Sequence, residues 1–236
     1  MLAALTTLLA QVDVREAGTG ATTCEGKNEA FCPGFVIDNI DDYVSPVLEH
    51  LVLVFASVLI GFVLAMALAI VSHGRRWLIP VFIGTTGVLY TIPSIALFLL
   101  LLPITGRGTE TALIALSLYT LQIIYRNANA GLANVPASAK DSGTGMGMTK
   151  RQLLWKVELP LAVPEIIAGV RIATVSTVAI ATLAIFAGAG GLGAELYGDL
   201  TFKTGIVVCG SIAICFDAIF LAIQRLLSPW RRVRPV

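Results

Sequence analysis

Charge is what this sequence has least of: of its 236 residues only 13% are Asp, Glu, Lys or Arg, about half the share usual in a soluble domain. With 56% hydrophobic residues and a mean hydropathy of +0.85, that scarcity excludes an ordinary water-soluble globule. The 16 basic and 15 acidic residues nearly cancel, so the basic excess of a nucleic-acid binder is missing as well. No G-x-x-x-x-G-K-[ST] run is present to cradle nucleotide phosphates, so any energy source is a partner protein or an ion gradient. Asp217 is the one acid inside a strongly apolar run, and no histidine lies deep in one. An intramembrane aspartyl protease, which needs a second acid, and a serine type, which needs a histidine, are therefore both unsupported. His50 and His73 flank the first apolar run at opposite ends, too far apart to share a metal or catalytic site, and read as interface residues. No internal repeat is visible.

What the chain does have is apolar length. A hydrocarbon core of about 30 Å needs about 20 apolar residues in a helix. Leu51 to Val71, Trp77 to Gly106, Ile172 to Ala194 and Thr204 to Gln224 meet that test, the last broken only by Asp217. Thr111 to Tyr125 is shorter but can continue through Arg126, Asn127 and Asn129 if protein rather than lipid surrounds them, which gives five spans. Basic residues cluster after span one (Arg75, Arg76), between spans three and four (Lys140, Lys150, Arg151, Lys156) and in the tail (Arg225, Arg231, Arg232, Arg234). Acids collect on the other side, in the first 50 residues and at Glu110, Glu195 and Asp199. The positive-inside rule then places the N-terminus outside and the C-terminus inside. The expected organisation is an extracytoplasmic segment over 1–46, an all-α, multi-pass membrane domain over 47–228, and a basic cytoplasmic tail over 229–236. Met1 to Ala10 is too short to span and lacks a basic start, so neither an anchor nor a signal peptide is expected there. Cys24 and Cys32 lie in the outer segment, where a disulfide and two free thiols both remain open; Cys209 and Cys215 read as packing residues.

The longest polar interruption after the N-terminal region is the loop over 135–162. Pro136 suits a helix start, while Gly143, Gly145 and Gly147 invite a turn. A second amphipathic helix is expected from Thr149, with Leu153, Leu154 and Val157 on one face and Lys150, Arg151 and Lys156 on the other; Pro160 and Pro164 are expected to end it and begin the next span. Two short helices around a glycine elbow make a docking surface rather than a loop that only sets topology.

Asp141-Ser142-Gly143-Thr144-Gly145-Met146-Gly147, with Leu159-Pro160 twelve residues on, resembles the EAA loop of the membrane subunits of binding-protein-dependent ABC importers. Glu-Ala-Ala is replaced by Asp141-Ser142-Gly143, which keeps the acid and lowers helix propensity at two positions. The run from Gly145 to Arg171, Tyr90-Thr91-Ile92-Pro93-Ser94 and Gly188-Ala189-Gly190-Gly191-Leu192-Gly193 are similar to the osmoprotectant branch, over roughly Val47 to Leu227. The resemblance implies a type I importer fold in a bacterial cytoplasmic membrane and import of glycine betaine, carnitine, choline or a related solute. It implies a second permease subunit, identical or homologous, an outside solute-binding protein, and two cytoplasmic ATPases that hold ATP and Mg and grip Ser138 to Gln152. The chain itself is then non-catalytic, with no cofactor or metal of its own and no nucleic-acid partner.

Other residues have weaker signals. Tyr90, Thr91, Pro93, Ser94 and Tyr119 are candidates for a solute path, because a helix broken near mid-membrane exposes backbone polar groups and tyrosine faces attract quaternary ammonium. Gly188, Gly190 and Gly193 satisfy a dinucleotide fingerprint, but an apolar run of membrane length precedes them. With Gly191 they read instead as an outer turn or gate. Asp217 is a further candidate for the solute path, a proton-site candidate in an alternative, ion-coupled carrier, or one half of a pairing contact. A passive assembly anchor is a third reading.

Overall fold

The structure is a computed structural model, and it describes residues 40–198 and 202–227; among these residues there is helix and no strand. Cys24, Cys32, nearly all of the 1–46 segment, Asp199 and the 229–236 tail lie outside the described residues. The helices are α1 (Ile40–Ser72), α2 (Leu78–Thr91), α3 (Ser94–Thr105), α4 (Thr109–Ala133), α5 (Ala137–Gly145), α6 (Lys150–Leu153), α7 (Leu159–Ala181), α8 (Leu192–Gly198) and α9 (Phe202–Leu227). A π turn, Leu154–Glu158, joins α6 to α7, and a 3₁₀ turn, Thr182–Ala187, extends α7. Three stretches are long and apolar enough to cross a membrane: Tyr43–Ser72, Lys150–Ala187 and Ile206–Leu227. The pair α2 and α3, bent by 96°, supplies a fourth if it is one broken span.

The bend is local chemistry. Ile92 is extended (ψ 127°), the conformation that a following proline favours, and Pro93 cannot donate to the ladder. The carbonyl of Ile92 accepts a hydrogen bond from the Tyr119 hydroxyl, which satisfies one of the backbone groups that the break frees.

The fifth expected span is α4. Its 25 residues reach about 37 Å, but it carries too many polar groups to pass as lipid-facing. Its surroundings explain this: α4 packs against α2, α3 and α7, and Thr111, Ser117, Thr120, Gln122 and Tyr125 are all buried on it. Several of their polar groups bond to neighbouring helices. Thr120 donates to the Ser57 carbonyl (3.2 Å), the Thr86 hydroxyl donates to Gln122 Oε1, and Tyr125 donates to Ser72 Oγ (3.2 Å). Close approach comes from small residues. A Cβ on Gly61 would overlap the Thr120 hydroxyl, and one on Gly131 would press on Ala162 and Glu165.

Two expectations need correction. Pro160 and Pro164 do not end the amphipathic helix: α6, the π turn, α7 and the 3₁₀ turn form one continuous helical run from Lys150 to Ala187. The wider i to i+5 turn over Leu154–Glu158 takes up the donor and clash that Pro160 would otherwise disturb. In consequence the fourth span is not Ile172 to Ala194. It begins earlier, passes through Arg171, and stops at Ala187, where Gly188 turns left-handed with φ +80°.

Two apolar cores stack along the bundle. One, toward the Gly188–Gly193 turn, contains Leu53, Phe98, Leu116, Tyr119, Val178 and Leu192. The other, toward the α5–α6 arm, contains Ala69, Ile124, Tyr125, Leu154, Leu159 and Ala162. Large apolar residues on the outside, such as Leu59 and Val63 of α1 and Ile214 and Ile219 of α9, are exposed in the way lipid-facing positions require.

Candidate functional site

The arm over 135–162 is built from two capped helices. Pro136 precedes α5, and α5 closes with Gly147 N–H on the Thr144 carbonyl (2.9 Å) and Met148 N–H on the Gly143 carbonyl (3.2 Å). That pair is the Schellman pattern, and Gly147 occupies its left-handed position with φ +80°. Two residues later Thr149 opens α6 with a capping box: its Oγ1 accepts from Gln152 N–H (3.3 Å) while its own N–H donates to Gln152 Oε1 (2.9 Å). The elbow is thus two caps back to back around Met148. Gly143 faces Leu153, Met148 and Val157, which holds α5 against α6 and the π turn. Asp141, Ser142, Gly145 and Met146 stay exposed, whereas Leu159 is buried.

The root of the arm is anchored by a residue that no sequence motif singles out. Glu158, in the π turn, is buried, yet its carboxylate lies 3.0 Å from His73 Nε2 and 3.9 Å from Lys140 Nζ. Lys140 also donates to the Leu132 carbonyl (3.3 Å). One carboxylate therefore ties α5, the start of α7 and the end of α1 together. His73 is a partner inside this cluster rather than a free interface residue. His50 departs further from expectation: it is fully buried, with Nε2 donating to the Val178 carbonyl at 3.1 Å.

The seam between α7 and α9 brings Asp217 its partner. Arg171 Nε and Nη2 meet Asp217 Oδ1 and Oδ2 at 2.5 and 2.8 Å, a two-pronged contact between residues 46 apart. Flanking contacts keep the register: the Gln224 amide donates to the Pro164 carbonyl (3.1 Å), and Cys209 Sγ lies 3.7 Å from the Val178 carbonyl. Positions 164, 171 and 178 therefore face 224, 217 and 209 across an antiparallel seam. A signal existed, because Arg171 is the only Lys or Arg between Lys156 and Lys203.

Of the path candidates, Tyr90 and Tyr119 meet edge to face with centroids 5.5 Å apart. Tyr119 is only 4% exposed and its hydroxyl is committed to Ile92, whereas Tyr90 is 43% exposed and keeps an open ring face. Thr91 donates to the Val88 carbonyl (2.7 Å), and Pro93 with Ser94 starts α3. Asp217, the remaining path candidate, is held by Arg171 on the seam between α7 and α9.

At the other end, the Gly188–Gly193 turn is held on several sides. Gly191 N–H donates to Glu49 Oε2 (3.1 Å), and Gly108 N–H donates to the Ala187 carbonyl (2.8 Å). A Cβ on Gly190 would overlap the Glu49 carboxylate, and one on Gly193 the Thr182 carbonyl. Glu49→Ala is expected to cost about 1 kcal/mol, read as a lower thermal midpoint of the purified protein, with Glu49→Gln close to the parent because the amide oxygen can still accept. Among the described residues no cluster of His, Cys, Asp and Glu could hold a metal ion.

Known proteins share this architecture and much of the sequence. Residues 57–233 match the family described as binding-protein-dependent transport system inner membrane component. The chain is 34% identical over 193 residues to the osmoprotectant import permease protein OsmW of Salmonella typhimurium, covering 79% of this chain and 90% of that one. It is 36% identical to the carnitine transport permease protein OpuCB of Listeria monocytogenes, over 72% of this chain and 79% of that one. It is 37% identical to the choline transport system permease protein OpuBD of Bacillus subtilis, over 70% and 76%. Among solved structures, the MetNI methionine ABC transporter in an inward-facing conformation aligns with TM-score 0.72 at 23% identity, covering 78% of this chain and 95% of that one. That last likeness concerns the fold.

Proposed function

The chain belongs to the family of binding-protein-dependent transport system inner membrane components, and from that premise we propose that it passes a small quaternary-ammonium osmoprotectant, of the glycine betaine, carnitine and choline class, through the membrane during ATP-driven import. It is a multi-pass membrane permease of the type I fold. The relatives whose names carry osmoprotectant, carnitine and choline transport cover most of its length at 34–37% identity, and this is the observation that supports the substrate class. An ion-coupled carrier has no comparable support, and both carboxylate oxygens of Asp217 are already taken by Arg171.

In this reading the arm over 135–162 faces the cytoplasm and receives a partner ATPase, with Asp141 to Gly147 presented at its tip and Leu159-Pro160 at its root. ATP and Mg are held by two such ATPases and not by this chain. Their closure moves α5 and α6 as one body, because Gly143 seats on Leu153 and Val157. Glu158 passes that movement to α1 through His73 and to α7 through the continuous helical run. A second permease subunit completes the path, since one broken span and its neighbours enclose little space alone. An outside solute-binding protein delivers cargo to the turns at Arg107 and Gly188. The open ring of Tyr90 is the cation-facing surface of the path.

The test is purification of the chain with its native partners in lipid vesicles. The expected result is co-elution of an ATPase chain and uptake of labelled glycine betaine, carnitine or choline that stops when ATP is withheld. Uptake that continues without a nucleotide-hydrolysing companion would falsify the reading.

A further inference from the structure

The described residues line an open cleft of about 880 Å³ at the arm end of the bundle, where α1 ends and α2 begins. His73, Arg75, Arg76, Lys140 and Glu158 contribute its charges. Glu158 is the only acid in the wall, and His73 and Lys140 lie against it. That leaves Arg75 and Arg76, whose guanidinium groups have no carboxylate or hydrogen-bond partner among the described residues. The wall therefore keeps an uncompensated positive charge directed at whatever enters.

The rest of the wall is mostly apolar, Trp77, Ile79, Leu132 and Ala133, with Asn129 the one further polar side chain, its amide donating to the Tyr125 carbonyl (3.0 Å). Trp77 is 67% exposed, at the boundary between the turn and a helix of membrane-crossing composition, where indole rings settle at the headgroup level. A free phosphate or nucleotide has no use for that apolar side, and the exposed Trp77 indole at the start of a helix of membrane-crossing composition suits an acyl chain better than an acidic loop of another protein. We infer that this cleft binds the phosphodiester headgroup of an anionic phospholipid, with Arg75 and Arg76 on the phosphate and the acyl chains running along α2 past Trp77. The site adjoins the Glu158 cluster, so a bound lipid bridges the loop after α1 to the base of the arm.

Native mass spectrometry of the intact transporter, released from vesicles of mixed phosphatidylglycerol and phosphatidylcholine, tests this. Phosphatidylglycerol is expected to stay on the permease chain in preference to phosphatidylcholine. Arg75→Gln with Arg76→Gln is expected to lower that retention about twenty-fivefold, two surface cations at roughly fivefold each. Arg75→Lys with Arg76→Lys keeps the topology-setting charge and is expected to retain most of the lipid. It separates a binding effect from an inverted or misfolded chain, and tag accessibility checks orientation in both variants. Equal retention of the two lipids, or retention unchanged in the glutamine variant with orientation intact, overturns the proposal. So does complete displacement by soluble glycerol phosphate, which would assign the cleft to a free phosphate compound. Absence of lipid from the intact complex but not from the isolated subunit overturns it too, and would assign the cleft to the ATPase instead.

Discussion

Asp217→Ala is expected to lower the thermal midpoint of the permease, because it strands the Arg171 guanidinium without the carboxylate that both its prongs meet. The loss follows from what is left behind. Arg171 meets Asp217 through two hydrogen bonds of 2.5 and 2.8 Å, and with the carboxylate gone its guanidinium faces helices whose other contacts along this seam are a thiol, an amide and carbonyls. Arg171→Ala carries the matching cost by stranding the carboxylate. Removing both should be milder: Arg171→Leu with Asp217→Leu is expected to recover most of the lost stability, because replacing an ion pair by apolar residues of similar size is often close to neutral. Thermal unfolding in lipid nanodiscs would read this as a large drop for each single variant and a small one for the double. A double variant as unstable as either single one contradicts the pairing. Uptake by the double variant carries a second message. ATP-dependent transport should survive in it, whereas a carboxylate that relayed protons could not be replaced by leucine.

The pair also limits which surface α7 and α9 can present to lipid. The Arg171 and Asp217 side chains are 28% and 37% exposed in the single subunit, too open for a charge facing hydrocarbon. Intramembrane charges of this kind border water or protein, so this edge of the seam faces water or protein rather than lipid.

How far the sequence reached depends on whether the cause was local. The break at Ile92-Pro93 was legible because proline acts on its own neighbours, and so was the start of the second arm helix, since Thr149 and Gln152 are three residues apart. The fifth expected span, α4, is not among the helices apolar enough to cross a membrane, but the condition attached to it, that protein surrounds its polar residues, is met by buried Thr120, Gln122 and Tyr125. The start of the fourth span was misplaced because a charge-free window treats Arg171 as a boundary, and its compensating acid lies 46 residues away. Pro160 misleads for a related reason. A proline's local cost can be absorbed by a π turn, and nothing in a list of propensities announces one. His50 and Glu158 were out of reach altogether. Their burial is set by Val178 and His73, partners 128 and 85 positions distant in the chain (158 − 73 = 85).

Gly147→Val is expected to cut uptake about five- to thirtyfold while the protein still inserts and folds, and Gly145→Ala in the same arm is expected to leave uptake unchanged. No neighbour lies within 4 Å of a Cβ at either position, so crowding cannot distinguish them. Backbone conformation does. Gly147 sits at φ +80°, where an L side chain costs roughly 1–2 kcal/mol and a β-branched one more; Gly145 is the last residue of α5 with no positive φ, where alanine is the better helix former. A strain of about 1–2 kcal/mol corresponds to a factor of roughly 5–30 in an equilibrium. It falls on the Schellman closure between Gly143 and Met148, which sets the angle at which α5 leaves α6. The strain can be relieved by opening that closure, which frees the tip without touching the spans, so insertion is spared and the docked geometry is lost. Uptake of labelled solute, scaled to permease in the membrane, would show it, and ATP hydrolysis by the complex should become less responsive to the binding protein in parallel. Equal uptake in the two variants would mean that the angle of the elbow carries no part of the coupling stroke.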